Sequence, residues 1–146
     1  MNNREISTLM VDSMNDFANL VKLISAERVQ HDSVLTERQF VTLSRINMHK
    51  KIELKNLSKD LYVSTSSLCI LLNKLVEQGY VYREEDPKDR RNTFYCITEK
   101  GHVLIKAEVD HLLDVIGHRI EKLDEDKKER LYNCMVESSV IFKELL

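Results

Sequence analysis

Residues 54–101 read LKNLSKDLYVSTSSLCILLNKLVEQGYVYREEDPKDRRNTFYCITEKG. Ser64 has the hydroxyl of a helix N-cap, able to accept an orphan backbone N–H of the next turn, and opens a helix predicted over Thr65 to Gln78. At 100° per residue, Leu68, Leu71, Leu72 and Leu75 fall on one side with Val76 at its edge, so that side packs inward. Gly79 follows as a residue free to adopt positive φ. The hydrophobic period then changes from 3.6 to 2, giving two β-rich runs, Tyr80 to Arg83 and Thr93 to Ile97. Between them EEDPKDRRN carries the chain's one proline and makes the charged tip of an antiparallel hairpin. Upstream, a short helix over Leu57 to Leu61 meets the turn Tyr62-Val63-Ser64. Helix, tight turn, helix and hairpin is the order of a winged helix-turn-helix.

The second helix of such a unit enters the DNA major groove, which requires a face of suitable chemistry. Opposite the leucines stand Ser66, Ile70, Asn73 and Glu77, flanked by Ser67 and Lys74, with Ser64 and Thr65 at the start. Small hydroxyls permit close approach and bond phosphates or base edges, asparagine suits adenine, and an exposed Ile70 suits a thymine methyl. The helix N-terminus favours phosphate. An ordinary surface helix carries Lys and Glu more often than four consecutive hydroxyls. On the hairpin tip, Lys88 and Arg90 suit phosphate, and Arg91 suits the negative potential of a narrow minor groove. Asp89 is unsuited to phosphate and is expected to hold an arginine by a charge-assisted bond. Glu84, Glu85 and Asp86 read as a solvated charged turn.

Working outward, a first helix spans about Asn3 to Val29, with Ile6, Leu9, Phe17, Leu20 and Ile24 at helical steps. Thr36 and Glu37 open a second helix through Phe40, Val41, Leu43 and Ile46, and Lys51 to Leu54 is a short extended piece at best. Downstream, Ile105, Val109, Leu112, Ile116, Ile120 and Leu123 approach a heptad seam, and a final helix starts near Asp124. The fold class is mainly α with a small antiparallel β-hairpin wing.

Composition agrees. In 146 residues there are three glycines and one proline, too few for an all-β fold. The net charge is −2, yet residues 45–106 carry 12 Lys/Arg against 8 Asp/Glu, so a basic middle lies between acidic ends. The start MNNREISTLMVDSMNDF has no signal-peptide pattern and no apolar run is long enough to span a bilayer, so a cytoplasmic protein with no membrane association is expected. Cys69, Cys96 and Cys134 are odd in number and far apart, which excludes a disulfide framework. His111, Asp114 and His118 share a helix face, but without a tighter cluster no metal site is assigned. No catalytic motif appears, and neither enzyme activity nor a cofactor is expected.

The run from Ser64 to Gly79, then Asp89-x-Arg91 and Ile97-Thr98-x-x-Gly101, resembles the MarR family of transcription regulators. Two positions depart from its pattern: Ile97 stands where Leu is usual, and Tyr62 where Gly is common. The resemblance implies one MarR-like domain over 1–146, with dimerisation helices in 1–35 and 102–146 and a DNA-binding lobe over 36–101. It further implies a homodimer on a pseudo-palindromic operator in double-stranded DNA, acting as a repressor that a small aromatic or phenolic effector releases. Two other readings stand beside it. A winged helix also serves protein–protein contact, although such a module has no need of a basic wing tip. A thiol-based redox sensor is the second, although the first 68 residues contain no cysteine.

Overall fold

The computed structural model describes residues 1–30, 33–89 and 91–146. The element order is α1 (Asn3–Gln30), α2 (Glu37–His49), β1 (Lys51–Glu53), α3 (Leu54–Leu61), α4 (Thr65–Glu77), β2 (Val81–Glu85), β3 (Thr93–Ile97), α5 (Glu99–Ile120) and α6 (Glu125–Leu145). The chain divides into two compact units, Met1–Leu112 and Leu113–Leu146.

In the first unit the core gathers one or more residues from each element after α1. Leu43 and Ile46 come from α2, Leu57 from α3, and Leu68, Leu72 and Leu75 from α4. Ile52, Val81, Tyr95 and Ile105 complete it from the three strands and α5. Each such side chain contributes about 1.5–3 kcal/mol by leaving water. Helix α2 starts with a reciprocal cap: Thr36 Oγ1 accepts the Gln39 N–H at 3.3 Å, and Gln39 Oε1 accepts the Thr36 N–H at 3.0 Å.

The sheet has three strands in the order β1-β3-β2, both pairs antiparallel. Residues 51–53, expected to be extended at best, thus form a third strand beside the hairpin, paired Ile52 to Tyr95. Helix α3 starts at Leu54, earlier than the expected Leu57, directly where that strand ends. The hairpin also runs further than the alternation suggests. Glu84 and Glu85, expected in the solvated turn, pair in register with Phe94 and Thr93. Lys51 Nζ on β1 explains part of this, lying 2.9 Å from Glu84 Oε1 and holding that carboxyl below its ordinary pKa.

Two backbone features govern the junctions. Tyr62 adopts the left-handed conformation (φ 53°, ψ 40°) that closes α3, which is the physical reason glycine suits this position. A Cβ added at Gly101 would collide with the Tyr80 carbonyl oxygen. That carbonyl already accepts the Thr98 N–H at 3.0 Å. Thr98 Oγ1 donates to the Gly79 carbonyl at 2.7 Å and accepts the Gly101 N–H at 3.0 Å. The Ile-Thr-x-x-Gly run is therefore the clamp joining the end of β3 and the start of α5 to the turn after α4.

The same unit buries an ion pair. Arg28, near the end of α1, is 1% exposed; its Nη1 lies 2.6 Å from Glu108 Oε2 on α5. Ser33 Oγ donates to the same carboxylate oxygen at 2.7 Å, and the Val34 N–H reaches Oε1 at 3.1 Å. Arg28 also lies 3.3 Å from Glu37 and 4.3 Å from the centroid of the Phe40 ring.

In the second unit α5 ends and α6 begins at Asp124, whose carboxylate accepts the Lys127 N–H at 2.9 Å and the Lys127 ammonium at 2.7 Å. The lysine holds the Asp124 carboxyl below its ordinary pKa. No residue of α6 is buried, and Leu131, Met135, Ile141, Phe142 and Leu145 are exposed. In the first unit α1 buries only Ile24 and Arg28, leaving Leu9, Met14 and Phe17 in the open.

Candidate nucleic-acid interface

The candidate surface begins at the N-terminus of α4. Ser64 has extended φ/ψ of −67° and 148°, and its hydroxyl accepts the Ser67 N–H at 3.3 Å. The same hydroxyl donates to Ser67 Oγ at 3.0 Å. Ser64 and Ser67 are thus committed to each other and to the cap, which holds the first turn in shape. Upstream, Ser58 Oγ donates to the Val63 carbonyl at 2.6 Å and braces the turn.

The leucine side of α4 is buried as its spacing requires: Leu68, Leu72 and Leu75 are within 2% of full burial, while Leu71 and Val76 are partly covered. Thr65, Ser66, Ile70, Asn73 and Lys74 are exposed. Ile70 is 66% exposed, a large apolar side chain on a polar face.

On the hairpin tip two aspartates shape the backbone. Asp86 Oδ1 accepts the Lys88 N–H at 2.8 Å, and Asp89 Oδ1 accepts the Arg91 N–H at 3.0 Å. Both are side-chain turns of the kind that let aspartate set a loop's direction. The Asp89 carbonyl accepts the Asn92 N–H at 2.9 Å, and the Asp86 N–H reaches the Asn92 carbonyl at 3.1 Å. Asp89 was expected to hold an arginine side chain. Its stronger hold is on the Arg91 backbone, the guanidinium Nε being 3.7 Å away. The Arg91 side chain is 93% exposed and Lys88 is exposed. Arg90 lies outside the described residues.

Of the residues singled out, the structure joins Ser64 to Ser67 and Asp89 to Arg91. Asn73 is joined to a residue the sequence reading passed over: Arg83 Nη2 donates to Asn73 Oδ1. Arg83 sits on β2 opposite Tyr95, and its guanidinium is 5.9 Å from that ring's centroid. Nothing local in the sequence announces this, because the partners lie on a helix and a strand. Lys100 is a second omission; its Nζ donates to the Gln78 carbonyl at 2.8 Å, a cation on the C-terminal carbonyls of α4.

Beside the N-terminal end of α4 lies a cavity of about 350 Å³, lined by apolar Val41, Leu61, Val63, Leu68 and Leu71 and by polar Glu37, Arg38, Ser64 and Ser67. Among the described residues no three His, Cys, Asp or Glu side chains gather as a metal site. His118 Nδ1 is instead bonded to the Asp114 carbonyl at 2.7 Å. No helix among the described residues is long and apolar enough to cross a membrane. Burial pushes the Cys96 thiol above its ordinary pKa, which disfavours the reactive thiolate.

A sequence model of the MarR family matches residues 35–93. The HTH-type transcriptional regulator SarZ of Staphylococcus haemolyticus is 30% identical over 106 residues, spanning 73% of this chain and 69% of that protein. The structure of a MarR family protein from Bacillus stearothermophilus superposes with a TM-score of 0.79 at 19% identity, covering 98% of this chain and 99% of the other. A mutant MarR from E. coli, solved in complex with operator DNA, superposes with a TM-score of 0.62 at 20% identity, over 87% and 96% of the two chains.

Proposed function

The chain belongs to the MarR family, and from that premise we propose that it is a homodimeric repressor that leaves a pseudo-palindromic operator when a small aromatic or phenolic effector binds. It is a DNA-binding transcription regulator and not an enzyme. The observation that carries the finer reading is the exposed face of α4, polar apart from Ile70, in the same chain as an exposed cationic hairpin tip. Thr65, Ser66, Ile70, Asn73 and Lys74 take the major groove in this reading, with Ser64 and Ser67 at the phosphate-facing helix end. Arg91 takes the minor groove, and Lys88 and Arg90 the phosphates.

The domain reading follows the family. Residues 36–101 serve as the reading lobe, and segments 1–35 and 102–146 hold two copies together. The uncovered apolar residues of α1 and of α6 support that assignment. Two reading helices on one face of a duplex then stand one turn apart, roughly 34 Å. The fold neighbour solved on operator DNA supports the same mode of use. The cavity beside Ser64 and Ser67 has the volume for a single-ring effector and lines the helix end that such a ligand would displace.

The test is selection of duplexes from a random pool, followed by titration of phenolic carboxylates into the selected complex. A palindromic consensus and release by a ligand support the proposal. Failure to bind random duplex DNA even at low salt would transfer the winged helix to protein contact. Release by peroxide that alkylation of the three cysteines abolishes would make the switch a thiol instead.

A further inference from the structure

We propose that Arg83 is a positioning residue that makes Asn73 select guanine over adenine, an inference that rests on the reading of α4 as the major-groove helix. An unattached asparagine suits adenine because its carbonyl oxygen accepts from the N6 amino group while its NH2 donates to N7. Asn73 is not unattached. Arg83 Nη2 donates to its Oδ1, which removes one of the two amide orientations and sets the oxygen against a permanent cation.

Arg83 is itself held. It stands opposite Tyr95 in the β2–β3 register, its guanidinium lies over that buried ring, and Tyr95 is 3% exposed. Asn73 and Arg83 are both exposed, so the pair is open to a ligand while fixed to the fold. The second lone pair of Oδ1 lies beside that cation, so the groups the pair presents most strongly are donors: the Asn73 NH2 and the guanidinium N–H groups not spent on Oδ1. An adenine would bring its own N6 donor to an oxygen already bonded to a cation. Guanine presents two acceptors, N7 and O6, and no donor on that edge. A pair richer in donors, with its one acceptor set against a cation, therefore matches guanine better than adenine.

The experiment uses the full chain and its selected operator, with each base pair replaced in turn. The step read by Asn73 is the one whose preference disappears in Asn73→Ala. There the wild type should prefer guanine, and a change to adenine should weaken binding about tenfold. Arg83→Gln should let adenine compete at that step alone, whereas Lys88→Ala should depress all sequences alike. Asn73→Asp retains the bond to Arg83, and so the local fold, but lacks the NH2; it should melt no lower than wild type and lose the guanine preference. Adenine at that step in the wild type, or a guanine preference unchanged in Arg83→Gln, overturns the inference. A wild type that binds no duplex brings down the regulator reading itself, and the inference with it.

Discussion

Gly101 and Arg91 mark two opposite demands on a residue. At Gly101 the constraint is space, since any side chain meets the Tyr80 carbonyl oxygen. Backbone does not yield as a flexible side chain does, so Gly101→Ala should destabilise the chain by about 3 kcal/mol in urea denaturation. A loss under about 0.5 kcal/mol would show that α5 starts without this contact. At Arg91 the constraint is reach. Its side chain is almost fully exposed and contributes little to folding, so Arg91→Ala should leave the melting temperature unchanged while weakening operator binding by about 1–3 kcal/mol. Lys88→Ala should weaken all duplexes and reduce the salt slope by about one. Equal affinity in both variants, measured by fluorescence anisotropy, would remove the wing from the DNA.

At the scale of elements, the turn between α3 and α4 carries a conformation that its residue tolerates poorly. Tyr62 is 96% exposed, so its ring contributes almost no packing to offset the left-handed backbone. Tyr62→Gly should therefore stabilise the chain by about 0.5–1 kcal/mol, despite the extra freedom of glycine when unfolded. Thermal denaturation would decide, and a lower melting temperature would mean the tyrosine has a partner in the assembled protein. Helix α4 was legible from sequence because its signals are local: a capping serine, leucines at helical steps and a terminal glycine all act within 16 residues. Strand β1 was not legible, because three residues become a strand only by pairing with β3 more than 40 positions later. The Asn73–Arg83 bond, only 10 positions apart, was hidden because it joins a helix to a strand across the turn at Gly79.

Across the whole chain, the least legible feature is the Arg28–Glu108 pair, 80 positions apart. A lone arginine at the end of an amphipathic helix gives no hint of burial. Removing either partner leaves the other charge in the interior. Arg28→Met or Glu108→Gln alone should each cost about 3–5 kcal/mol, and the double variant less than their sum. Chemical denaturation of the full cycle measures this, and additive losses would show that the two residues act separately.

Helix α6 offers the most general consequence. With nothing of its own length fully buried within a single copy, it has its backbone hydrogen bonds, capping and surface ion pairs to set against the entropy of ordering 21 residues. If a second copy supplies the missing cover, thermostability obeys mass action: unfolding temperature rises with protein concentration and falls on dilution. A calorimetric series spanning a hundredfold range of concentration would read this directly, and a flat line would mean that each copy stands alone. With a rising line, the number of copies in a cell would set both how much operator is occupied and how much folded regulator exists to occupy it.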